Sequence, residues 1–123
     1  MLNFIYFLGL TLVTSQVHSN EECSINEVAR QFDTPVIVKI IGNSSEIETM
    51  EMKLVYVEGG EQKKIPFGRI HKQWLKLKDD FQDGDCFMSF VTKKETWTKL
   101  HGRKGYLLIR KNKVISYIIT SMS

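Results

Sequence analysis

The chain has 123 residues, 42% of them apolar and 25% charged, with two cysteines and a formal net charge of +3. That is room for one domain with its own core, so several domains or a fold held only by many disulfides are excluded. The charge is uneven: residues 20–68 hold 5 Lys/Arg against 9 Asp/Glu, and residues 69–123 hold 12 against 5. A basic second half suits phosphate, anionic lipid or an acidic protein partner, although lysines on solvated faces are the more ordinary reason for it.

Residues 2–13 are almost wholly apolar, and Val17 and Ser19 satisfy the small-residue rule for cleavage before Asn20. Residues 1–19 are therefore expected to be a signal peptide and residues 20–123 a single domain. A run of roughly a dozen apolar residues is too short to span a bilayer comfortably, which argues against a membrane anchor. Lipid attachment at Cys23 needs small or apolar residues before the cysteine, and Glu21-Glu22 stand there instead. Export makes a Cys23–Cys86 disulfide available, because two cysteines allow one intrachain pairing in an oxidising compartment. The alternative is two free thiols, with Cys86 a small core residue.

In chain order, Ser24-Ile-Asn-Glu27 has capping-box spacing and opens a helix over residues 25–32, with Ile25, Val28, Ala29 and Phe32 on one face. Pro35 stops it. The β-branched run 36–41 predicts a strand, with residues 42–45 as its turn. Residues 54–57 and 62–67 predict a hairpin around Gly59-Gly60, with Pro66 ending or edging the second strand. Ile70, Trp74, Leu77 and Phe81 recur at helical spacing across residues 69–81.

Residues 83–122 are the most orderly part of the chain. Residues 85–91 predict a strand with Cys86, Met88 and Phe90 on one face and Phe87 and Val91 on the other, hence an interior strand or one covered by a helix. Thr92-Lys-Lys-Glu95 predicts a second capping box, opening a helix that turns Trp97 and Leu100 inward and closes at Gly102. A loop at residues 102–105 then leads to a terminal hairpin, 106–110 and 114–119, turning at Lys111-Asn112, its last strand apolar enough on both faces to be central. The fold class is α+β, an antiparallel sheet of about five or six strands with two or three short helices packed on it.

No catalytic set emerges, and no cofactor or metal is expected. The histidines outside the leader, His71 and His101, fall on a helix and near a helix end. There is no metal-ligand spacing, nucleophile elbow or phosphate-binding glycine loop. A Cys86 nucleophile is outweighed by a core or disulfide role, and Asp79, Asp80, Asp83 and Asp85 lack the spacing of a calcium loop. In Gly102-Arg103-Lys104-Gly105 the glycines would let the backbone approach a ligand, so that Arg103 could hold a carboxylate or phosphate bidentately, with Lys104, Tyr106 and Trp97 beside it. The more ordinary arrangement is Arg103 bonded to its own helix end or to Asp83 or Asp85, stacked on Trp97 or Tyr106.

Gly84-Asp85-Cys86-Phe87, Phe90, Trp97-Thr98-Lys99-Leu100, Gly102-Arg103-Lys104-Gly105-Tyr106, Arg110 and the terminal Thr120-Ser121-Met122 together resemble small, uncharacterised bacterial exported proteins. The similarity covers about the last 50 residues, and the turn that is usually Asp-Gly there is Lys111-Asn112 here. It implies a bacterial envelope or secreted location, and it brings no activity with it. The expected function is a small exported binding protein, not an enzyme, acting in the periplasm or outside the cell by contact with an envelope protein, as an inhibitor or immunity-type protein does. The alternative is an anionic-ligand module for a glycan, phosphate or lipid head group. A hydrolase using His71 or His101 has least to support it, and nucleic acid is not an expected partner.

Overall fold

A computed structural model describes residues 23–99 and 101–122. The expected leader at residues 1–19 and the inward side chain of Leu100 lie outside those residues. The chain runs α1 (Ile25–Ala29), β1 (Val36–Ile41), α2 (Ser44–Met50), β2 (Met52–Tyr56), β3 (Gln62–Pro66), a 3-10 turn (Gly68–Ile70), α3 (His71–Asp79), β4 (Cys86–Thr92), α4 (Lys94–Thr98), β5 (Arg103–Arg110) and β6 (Lys113–Met122). This is an α+β fold whose six strands divide into an antiparallel sheet in the order β1-β4-β5-β6 and a separate β2-β3 hairpin.

The sheet separates two apolar layers. On one side Ile47 of α2, Trp74 and Leu77 of α3, and Phe67 pack on Phe87, Tyr106, Leu108 and Ile118. On the other, Val28 of α1 packs with Val38, Met88, Phe90, Leu107 and Ile109. β4 therefore buries apolar residues on both faces, Phe87 on one and Met88 and Phe90 on the other, as an interior strand does.

Several local expectations hold. Ser24 accepts from the Glu27 N–H at 3.3 Å to open α1, and β3 ends at Pro66. Lys111 and Asn112 both take positive φ, 51° and 65°, the geometry of a tight hairpin turn. That turn is tied to the other end of the chain, because the Asn112 side chain accepts from the Ser24 N–H at 2.8 Å.

Four expectations need correction. Residues 42–45 are not simply a turn: Asn43 caps α2, accepting from the Glu46 N–H at 3.0 Å while Glu46 takes the Gly42 N–H at 3.1 Å. α1 stops at Ala29, although Phe32 still packs on Phe90 with ring centroids 5.5 Å apart. Thr92 does not cap α4; Lys93 occupies that position without a side-chain bond, and Thr92 closes β4.

The fourth concerns β6, which is an edge strand rather than a central one. Its pairing with β5 shifts register twice, between Lys104 and Gly105 and between Leu108 and Ile109. These irregularities leave Ile115 and Tyr117 exposed and only Ile118 fully buried. Such bulges bend an edge away from further pairing.

Candidate functional site

The expected arginine loop is part of a strand. Arg103, Lys104 and Gly105 belong to β5, and the two glycines serve internal packing. A Cβ on Gly102 would stand 2.1 Å from Cδ2 of Trp97, so the absent side chain is what lets the indole lie against the backbone. A Cβ on Gly105 would stand 1.9 Å from the Ile118 carbonyl oxygen at the bulge. The close approach that these glycines permit is to the protein's own Trp97 and Ile118.

Thr92 organises the corner. Its buried hydroxyl accepts from the Arg103 N–H at 2.9 Å and lies 2.7 Å from the Thr96 hydroxyl, while its carbonyl accepts from Trp97 Nε1 at 3.0 Å. Trp97 is thus half-buried support for the β4–β5 connection.

The four sequence-predicted site residues do not converge. Tyr106 is buried, and its hydroxyl donates to Glu51 Oε2 at 2.7 Å. Burial first, then the bond to Glu51, raises its pKa far above the usual tyrosine value. Lys104 points to the same side, into a polar cleft of about 380 Å³ that Lys53, Arg69 and Glu51 also line. Arg103 lines a different cavity, an apolar groove of about 390 Å³ with Phe32, Leu107 and Tyr117. Its Nη1 donates to the Gly102 carbonyl at 2.8 Å, and among the described residues it forms no ion pair.

The carboxylate expected for Arg103 belongs to Arg110. Nε of Arg110 donates to Asp85 Oδ1 at 3.0 Å and Nη2 to Oδ2 at 2.8 Å, with a further bond from Nη2 to the Asp80 carbonyl. The guanidinium holds Asp85 below the usual carboxylate range, and the Gln82 N–H adds to this. The acidic cluster is thereby a helix end and turn, and no group of three or more His, Cys, Asp or Glu among the described residues is placed to hold a metal ion.

Cys23 and Cys86 are joined as a disulfide, with Cα atoms 6.3 Å apart. Cys86 therefore carries no free thiol. His71 Nδ1 lies 2.8 Å from the Pro66 carbonyl, which a protonated Nδ1 satisfies as donor. His101 stands exposed after α4. Among the described residues no helix is long and apolar enough to cross a membrane.

Sequence reasoning missed two features. Glu48, on α2, accepts from Trp74 Nε1 at 2.8 Å and Lys78 Nζ at 2.9 Å, and these bonds lower its pKa in that order. The signal for α2 was present in Asn43-Ser-Ser-Glu46, which has capping-box spacing. The second is an apolar row on β2. Met52, Leu54 and Tyr56 alternate onto one side of the hairpin and are 42%, 60% and 77% exposed, with Met50 before them at 54%.

No protein-family model matches the chain, and it shows no significant similarity to a curated protein or to a solved structure.

Proposed function

We propose that this is a small exported binding protein that acts by contact with another protein of the bacterial envelope, as inhibitors and immunity-type proteins do. The observation that carries the reading is the exposed row Met50, Met52, Leu54 and Tyr56. The opposite side of the hairpin is used internally, since Val55 is half-buried beside Gly68. A strand that presents alternate large apolar side chains to water along one side is the kind of surface that marks an interaction site. Lys64, paired with Leu54, supplies a polar edge. Export is supported by the leader-like residues 1–19 and by the Cys23–Cys86 disulfide, which an oxidising compartment preserves.

A photocrosslinking residue in place of Leu54, in the source cell, should give one stoichiometric adduct in the envelope fraction, lost when Tyr56→Glu is added. Absence of an adduct across growth conditions sinks the reading. A dimer of this chain that Leu54→Glu abolishes would make the row a self-association surface instead.

A second reading, binding of an anionic head group, is favoured by the cleft in which Lys53, Arg69 and Lys104 gather around one carboxylate, Glu51. It predicts salt-sensitive binding of inorganic phosphate or a phosphate-bearing glycan, weakened by Lys104→Gln.

A further inference from the structure

α1 covers only part of its side of the sheet. It is five residues long and packs against β1 and β6. Beyond it the chain passes through Gln31, Phe32 and Thr34, and between this segment and β6 lies the apolar groove of about 390 Å³. Phe90, Leu107 and Ile119 line it from the sheet, and Phe32 and Tyr117 stand at its sides. Phe90, Gly105 and Ile119 are in register across β4, β5 and β6, so the middle strand contributes no side chain at that level.

The charge in the groove is unusual. Among the described residues Arg103 is the one charged residue that lines it, and it is half-buried. One of its N–H groups is used by the Gly102 carbonyl, and the rest of the fork meets no carboxylate among the described residues. A guanidinium beside an apolar surface is complementary to a planar anion attached to an apolar body, since the fork matches a carboxylate bidentately. The volume is within the range of about 300–1,000 Å³ typical of small-molecule sites.

The polar groups are too few for a peptide. Thr92 is already engaged by Thr96 and Arg103, and Gln31 by Glu27, Asn112 and Val114, leaving Thr34 and the Tyr117 hydroxyl as the other polar side chains of the described lining. The amides of a bound peptide would lose water without gaining partners, whereas a hydrocarbon chain has none to satisfy. A phosphate ester brings close to two negative charges to one cation, which is the poorer match.

We propose that this groove binds a straight-chain carboxylate of medium length, its hydrocarbon along Phe32, Leu107 and Tyr117 and its carboxylate on Arg103. The site is independent of the hairpin contact proposed above, and either reading survives failure of the other.

Titration of the purified protein with dodecanoate, below its aggregation concentration, tests this by calorimetry and backbone amide shifts. The expected result is saturable binding of one molecule per chain, with shifts at Phe32, Arg103, Leu107 and Tyr117. Affinity should fall about tenfold for dodecanol with the unmodified protein and about tenfold for dodecanoate with Arg103→Gln, the loss expected for a charge-assisted hydrogen-bonded pair. Tyr117→Ser should weaken both ligands. The dodecanol comparison needs no variant, so it stands even if Arg103→Gln misfolds. The proposal is overturned if binding does not saturate, if the acid and the alcohol bind equally, or if the shifts map to residues 52–56.

Discussion

Trp74 and Glu48 meet across 2.8 Å, the indole N–H donating to the carboxylate, and this bond joins α3 to α2. The Trp74 ring is fully buried against Phe67 and Phe87, and its one polar atom reaches a half-buried carboxylate that Lys78 also holds. A buried tryptophan needs such a partner for its N–H. Glu48→Leu should destabilise the fold by about 1–2 kcal/mol by leaving that donor unsatisfied, and Glu48→Gln by less, since an amide oxygen can still accept. Urea melts followed by tryptophan fluorescence measure the difference.

Acid stability should depend on Asp85 and Glu48. Both carboxyls have folded-state pKa values below their ordinary ones, through Arg110 in the first case and Trp74 with Lys78 in the second. A depressed carboxyl contributes stability that is present above its unfolded pKa, about 4, and is lost as pH falls through the folded value. Stability should fall below pH ~4, and the slope should be shallower in Asp85→Asn. Urea midpoints between pH 2 and 7 check this, and equal slopes in variant and wild type would refute it.

Tyr106 predicts the opposite limb. Its pKa is raised, so its contribution is present below the unfolded value of about 10 and is lost as pH rises beyond it. Alkaline destabilisation should be smaller in Tyr106→Phe, and the Tyr106 phenol should stay protonated in an ultraviolet titration while the unfolded chain ionises.

The disulfide closes a separation of 63 residues. In the chain-entropy model that restricts the unfolded chain by about 4 kcal/mol. Reductant should lower the denaturation midpoint accordingly, and Cys23→Ser should remove the effect of reductant. Were the midpoint unmoved by reductant, the cross-link would not be stabilising the fold.

Gly102 and Trp97 should couple. Gly102→Ala drives a methyl into the indole and is expected to cost about 1–3 kcal/mol, the range for overpacking. In a Trp97→Leu background the same substitution should cost less, and a double-mutant cycle measures the interaction. Gly105→Ala meets backbone rather than side chain, so no such rescue is expected.

Much of the fold was legible because its signals are local. The β1 run, the Ser24 cap, the Gly59-Gly60 hairpin, the Pro66 stop and the Lys111-Asn112 turn each depend on a few neighbouring residues. The two-sided apolar pattern of β4 correctly indicated an interior strand. The same pattern misled for β6, because two register shifts let an edge strand carry apolar residues on both faces without burying them. Thr92 misled in a similar way: its hydroxyl has capping-box spacing to Glu95, but the β5 backbone reaches it first.

Of the site, the sequence determined which residues carry charge, where glycine permits close approach and which two cysteines can pair. Only the tertiary structure decided partners. It gave Asp85 to Arg110 rather than Arg103, set Lys104 and Arg103 on opposite sides of β5, turned Gly102 toward Trp97, and left the Met52, Leu54 and Tyr56 row uncovered. The physical reason is that a cap or turn is chosen by residues within one turn of chain. An ion pair across 25 residues, or the bare face of a hairpin, is chosen by which elements happen to pack beside it.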